Sequence, residues 1–206
     1  MTTDSLFEQL KHPNPHLRER AMLEIADGRD DQTIPKLIGI LDEEDVIYRR
    51  AAVKALGVIG VDAVPLLVDA LLNSDNVTVR GSAAKALAQI ALNYPDVSFP
   101  GAGLQALKTA IDDPNPVVHI AAVMALGEVG PGAFDILVES LKTTDNIAVQ
   151  VTIVNALATL GDLRCQEILT TLAKDEAVDA YVRESATTSL SRLDLVINYK
   201  GANRST

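Results

Sequence analysis

The sequence predicts an all-α fold, an α-solenoid or superhelix of about six two-helix repeats. Three observations carry that prediction. One short segment recurs six times along the 206-residue chain. Its apolar residues fall at the 3.6-residue period of a helix. Hydrophobic residues make up 48% of the chain but aromatic ones only 3%, so the core must be filled by Ala, Leu, Val and Ile.

The recurring segment is clearest as VIYRRAAVKALGVIG (46–60). It returns as VTVRGSAAKALAQIA (77–91), PVVHIAAVMALGEVG (116–130) and IAVQVTIVNALATLG (147–161), with weaker copies at 15–28 and 180–193. One column reads Arg18, Arg49, Arg80, His119, Gln150, Arg183. A second reads Ala21, Ala52, Ala83, Ala122, Ile153, Ala186, and a third Ile25, Leu56, Leu87, Leu126, Leu157, Leu190. The steps between copies are 31, 31, 39, 31 and 33 residues. These copies are the second helices. Each is preceded by a shorter apolar segment such as TIPKLIGIL (33–41), AVPLLVDALL (63–72) or GAFDILVESL (132–141). The repeats therefore span roughly 4–28, 33–60, 63–91, 101–130, 132–161 and 163–193, in one domain covering 1–206.

Pro35 and Pro65 stand near first-helix starts, where a missing N–H costs little. Turn segments such as DEED, NSDN and DDPNP supply Asp and Asn to accept from the next helix's free N–H groups. Gly60, Gly130 and Gly161 suit helix ends that need positive φ. The long step contains an insertion, 93–100, with Tyr94 and Phe99 among prolines. The tail 196–206 is expected to fray after Lys200.

Composition excludes several classes. The net charge is −10, with 28 acids against 18 bases, and both halves are acidic, which disfavours nucleic-acid binding. A single Cys165 excludes an internal disulfide framework and a cysteine zinc site. No signal peptide is visible and no stretch approaches 18 apolar residues, so no membrane span and a cytoplasmic location are expected.

On helical geometry, positions 50, 54 and 57 of the second repeat point away from the core, and equivalent positions line the open wall. Arg50, Lys54 and Lys85 form a basic island there. Ile120, Met124 and Val151 are apolar on the same wall, with Asn155 beside them. The 57 column is small throughout, which would let a partner approach the backbone. Tyr94 and Phe99 are candidate partner contacts. His12 and His16 share no helical face and hold no metal. Arg18, Arg49, Arg80 and Arg183 are expected to pair with turn carboxylates such as Asp45 or Asp75. His119 and Tyr48 are the titratable groups near the wall that could serve in catalysis. Cys165 reads as a buried, inert thiol.

The VxxRxxAxxALGxIG-type second helices, with Pro near first-helix starts, resemble HEAT-like repeats of the phycobilisome-lyase type. Over residues 6–193 the chain is similar to the small subunits of E/F-type phycobilin lyases and their chaperone-like relatives. The resemblance implies a role in attaching a linear tetrapyrrole (a phycobilin) to cysteines of a phycobiliprotein subunit, with a second HEAT-like lyase subunit as heterodimer partner. It implies no tightly bound cofactor and transfers no catalytic residue. A bilin's propionates would pair with Arg50, Lys54 and Lys85. Ile120, Met124 and Val151 would take its apolar body or an apolar face of the client. The alternative is a non-enzymatic protein-interaction scaffold.

Overall fold

The computed structural model describes residues 3–203, with side chains to Asn198. Twelve α-helices form six hairpins among the described residues, joined by short turns. They are α1 (Thr3–Gln9), α2 (Pro15–Asp27), α3 (Thr33–Gly39), α4 (Val46–Ile59), α5 (Val64–Asn73) and α6 (Val77–Asn93). These are followed by α7 (Gly101–Ala110), α8 (Pro116–Val129), α9 (Phe134–Thr143), α10 (Ile147–Leu160), α11 (Arg164–Lys174) and α12 (Ala180–Asn203). The last helix runs ten residues beyond Leu193 and stays helical through Asn203, where a frayed tail was expected from Lys200 on. Residues 204–206 of that tail lie outside the described residues.

The chain divides into two compact units, Met1–Ala121 and Ala122–Thr206, with the division falling inside α8. In the first unit the second helices α2, α4 and α6 lie side by side, α3 packs on α4 and α5 on α6, and α5 joins α3 and α7. In the second unit α10 packs on α9 and α12, and α12 also covers α11.

The column residues explain why these layers form. Ala21, Ala52, Ala83, Ala122, Ile153 and Ala186 are all fully buried, as are Leu56, Leu87, Leu126 and Leu157. Small side chains at one position and leucines one turn on let adjacent helices interdigitate closely. The first helices add Leu37, Leu67, Leu107, Leu137 and Leu169, all without exposure.

The 57 column works differently from its expected role. A Cβ on Gly57 would lie 2.5 Å from the Cβ of Gln89, so α4 and α6 meet there. A Cβ on Gly127 would likewise press at 3.3 Å on the backbone of Ala156 in α10. Both glycines are buried. At these two positions the small residue serves helix packing within the chain, whereas Ala88 is half-buried and Ser191 exposed.

Caps fix where each second helix begins. The side chains of Asn14, Asp45, Asn76, Asn115, Asn146 and Asp179 accept from the N–H two residues on, at 2.8–3.0 Å. Gly60 and Gly130 take φ +83° and Gly161 φ +66°, and no other described residue has positive φ. At these exits the chain turns from one hairpin to the next, in a region closed to residues with a Cβ.

The arginine column clamps turns through carbonyl oxygens. Arg18 Nη1 donates to the carbonyls of His12 and Pro13, Arg49 Nη1 to that of Glu43, and Arg80 Nη1 to those of Ser74 and Asp75. The Asp45 side chain is occupied as a cap, and Asp75 contributes only its backbone oxygen to Arg80. Gln150 preserves the device with an amide, donating from Nε2 to the Thr144 carbonyl at 2.9 Å. Arg80 alone of the three also meets a carboxylate, that of Asp113 in the next turn, through Nε at 2.8 Å and Nη2 at 3.2 Å. Burial by itself would raise the Asp113 carboxyl. The Arg80 hydrogen bonds and charge, with the Asn115 N–H, outweigh it and hold Asp113 below the ordinary aspartate range.

One segment needs comment on composition. Val46–Asn73 has a mean hydropathy of 2.0 over its most apolar window, apolar enough to cross a membrane, contrary to the expectation that no stretch comes near it. The structure breaks it at Gly60 into α4 of 14 residues and α5 of 10. Neither piece reaches the roughly 20 residues a membrane-spanning helix needs.

Two stability predictions follow from this packing. Leu87→Ala should lower the unfolding free energy by about 2–5 kcal/mol in urea titration, because the site is fully enclosed. Asp113→Ala should cost about 1.5–3 kcal/mol at pH 7 by removing Arg80's charged hydrogen-bond partner, with the Ser74 and Asp75 carbonyls still in place. Because the folded-state pKa of Asp113 is depressed, its contribution is present above the unfolded value near about 3.9 and fades as pH falls through the folded one. The gap between wild type and Asp113→Ala should therefore close in strongly acidic buffer.

Candidate functional site

A groove of about 470 Å³ opens in the first unit between α2, α4 and α6. Glu19 and Leu23 come from α2, Ile47, Arg50, Lys54 and Val58 from α4, and Gln89 and Asn93 from α6. The periodicity of α4 places 47, 50, 54 and 58 on one face, opposite Ala52, Leu56 and Ile59 in the core. The groove is mixed in character. Leu23 is 54% exposed and Ile47 46%, so two apolar side chains stand in the open beside two cations. Among the described residues, neither Arg50 nor Lys54 is within ion-pair distance of a carboxylate. The volume lies in the range of small-molecule pockets, about 300–1,000 Å³.

The structure brings together only part of the expected site. Arg50 and Lys54 line the groove, whereas Lys85, though exposed, is not among its walls. Leu23 lies in the same helical column as Lys54, but sequence reasoning missed Ile47, Gln89 and Asn93 as groove lining. Ile47 and Gln89 occupy helix positions one step from the columns considered, and only side-by-side packing of α4 and α6 shows that they face the opening.

On α8, Ile120 is 39% exposed and Met124 61%, and Val117 one turn earlier joins them in an apolar stripe. In α10, Val151 is half-buried. Asn155 is engaged within the second unit. Its Nδ2 donates to the Val151 carbonyl, and its Oδ1 accepts from Ser189 and Arg192 of α12.

The insertion turns its rings inward. Tyr94 lies over Gly60, where a Cβ would come within 2.8 Å of the ring, and its hydroxyl donates to the Val58 carbonyl. Phe99 covers Gly103, at 2.7 Å from a Cβ built there, beside Val64. Each ring contacts the chain's own hairpins on one side, while Tyr94 keeps 36% exposure and Phe99 is half-buried.

The two candidate catalytic groups are withdrawn from the open face. Tyr48 is buried, with the Lys11 ammonium 4.7 Å from its ring centroid on the α1 side. Burial holds its phenol above the ordinary tyrosine value, so it stays protonated at neutral pH. His119 is buried too, and its Nε2 has no hydrogen-bond partner. The Asp113 carboxylate, which a histidine in this column would have sought, is taken by Arg80 and the Asn115 N–H.

The comparisons with known proteins agree with this geometry. The family model for HEAT repeats matches residues 3–88 and 104–191. The uncharacterized phycocyanin operon protein Z of Pseudanabaena tenuis (strain PCC 7409) is 53% identical over 200 residues, covering 97% of this chain and 99% of that protein. The bilin biosynthesis protein CpeZ of Synechococcus sp. (strain WH8020) is 33% identical over 178 residues, covering 84% and 95%. One chain from the solved complex of CpcE and CpcF of phycocyanin lyase from Nostoc sp. PCC7120 matches with TM-score 0.50 at 22% identity, over 75% of this chain and 96% of that one. At that identity the likeness is one of fold. Class and relatives together place the protein: it is a HEAT-repeat protein, and it belongs to the group of protein Z and CpeZ.

Cys165, at the start of α11, has no exposure, and burial pushes its thiol up to about 11. Iodoacetamide at pH 8 should therefore label the native chain at least tenfold more slowly than the urea-unfolded chain, as followed by intact mass. Equal rates would mean that the thiol is open to solvent.

Proposed function

We propose that this chain is an accessory subunit of covalent bilin attachment, a phycobilin lyase subunit or chaperone-like protein that binds phycobiliprotein subunits. It assists the joining of a linear tetrapyrrole to their cysteines, working beside a second HEAT-like chain. The reading is supported by the relation to CpeZ, whose name assigns that protein to bilin biosynthesis, across most of both chains. The fold shared with a chain of the CpcE and CpcF complex supports the place of a partner subunit.

The observation that carries the reading is the character of the open face: unpaired cations beside exposed apolar side chains, with the titratable candidates buried elsewhere. Such a surface holds and orients an amphipathic substrate. The thiol that forms the thioether belongs to the client, so Cys165 has no part in it. Adding a thiol across a carbon–carbon double bond needs a base for the thiol and an electrophile held in line. Holding in line is what this face offers.

Co-expression tests the proposal. A phycobiliprotein subunit, a bilin source and a second HEAT-like lyase chain are produced with and without this protein. Covalent chromophore is then read by zinc-enhanced fluorescence of the denatured client. The expected outcome is at least a several-fold rise in chromophorylated or soluble client when this chain is present. No change in either quantity would favour a plain interaction scaffold without a pigment role.

A further inference from the structure

The groove between α2, α4 and α6 carries a charge arrangement that folding does not use. Most other cations of the first unit are spent on the chain itself, the exposed Lys85 of α6, outside the groove walls, being an exception. Lys11 pairs with Glu8, Arg20 with Glu24, Arg29 with Asp62, Lys36 with Asp4 and Arg80 with Asp113. Arg18 and Arg49 are bound to turn carbonyls. Arg50 and Lys54 stand one helical turn apart on the same face of α4, and among the described residues neither has a carboxylate partner. Like charges at that spacing repel each other. A chain with ten more acids than bases has left two cations adjacent in a concavity whose one lining carboxylate, Glu19 of α2, is within ion-pair distance of neither.

We propose that this groove is a dicarboxylate clamp, in which Arg50 and Lys54 hold the two propionates of an open-chain tetrapyrrole while Leu23 and Ile47 support its conjugated body. The inference rests on the reading that the chain takes part in bilin attachment, and adds the place and the chemistry of contact. Guanidinium and ammonium groups one turn apart match two carboxylates borne on neighbouring rings of one ligand. The exposed Leu23 and Ile47 give a flat apolar body somewhere to lie. Gln89 and Asn93 on the opposite wall supply neutral donors and acceptors for pyrrole and lactam groups. The size favours a small molecule over an acidic helix: a helix with its side chains is about 10–12 Å across, and only a few of its residues would fit in about 470 Å³.

The test is a direct titration of the purified full chain with biliverdin, followed by the change in its visible absorption, alongside biliverdin dimethyl ester. The variants are Arg50→Gln/Lys54→Gln and, as the loss of one positive charge that does not line the groove, Lys142→Gln. Both groove residues are exposed, so thermal unfolding of the double variant should match wild type. Wild type and Lys142→Gln should bind biliverdin at least tenfold more tightly than the double variant. The dimethyl ester should bind wild type at least tenfold more weakly than the acid, and the double variant should no longer discriminate between them. Absent binding, equal affinity for acid and ester in wild type, or an equal loss in Lys142→Gln overturns the clamp. Client co-purification that is lost in the double variant, with biliverdin affinity unchanged, overturns it in favour of an acidic protein segment. If the clamp fails while co-expression still raises chromophore yield, the accessory role stands without this groove. If biliverdin binds as expected and yield does not rise, the clamp stands and the accessory role falls.

Discussion

Gly57 and Gln89 approach so closely that no side chain fits between their helices, and that spacing governs the first unit. A two-helix hairpin of this size cannot enclose its own apolar stripe. It does so only by lying against the next hairpin at a distance set by glycine and alanine. The alanine column, without exposure at five of its six positions and replaced by an equally buried Ile153 at the sixth, marks the line of closest contact. With so few rings available, fit between small and branched side chains replaces bulk.

Close packing leaves polar backbone groups to be satisfied at every turn, and the sequence meets that demand with two devices. An Asn or Asp side chain caps each second helix, and in four of the repeats a longer side chain four residues later reaches back to the carbonyls of the turn. Gln150 shows that the second device needs a donor, not a charge. The charges that remain unspent are therefore informative, and this is why the groove on α4 stands out.

The repeat, the helix pairs and the buried columns were legible because periodicity and column identity are local properties of the chain. The basic pair Arg50 and Lys54 was legible for the same reason: one helix's geometry aims both outward. What was not legible depended on neighbours. Whether Lys85 shares a groove with Arg50 depends on the offset between α4 and α6. That Gly57 sits in a packing seam and not on an open floor depends on the same offset. The Arg column was expected to seek turn carboxylates; Arg80 does so with Asp113, whereas Arg18 and Arg49 bind backbone carbonyls of their turns. His119 and Tyr48 looked available because helical position alone does not tell how deeply a neighbouring element covers a ring. The helix beyond Leu193 continues through Asn203, where position in the tail alone had suggested fraying after Lys200.

The exit of α4 shows how sequence-distant residues become one object. Gly60 turns the chain with a backbone conformation reserved for glycine, and Tyr94 from the following hairpin lies flat on the space its missing side chain leaves, hydroxyl bound to Val58. The insertion is thus the lid of the preceding hairpin's corner as well as a spacer. Anyone transplanting the second hairpin into another repeat array would need to move residues 93–99 with it, because the corner is finished by a graft from its neighbour.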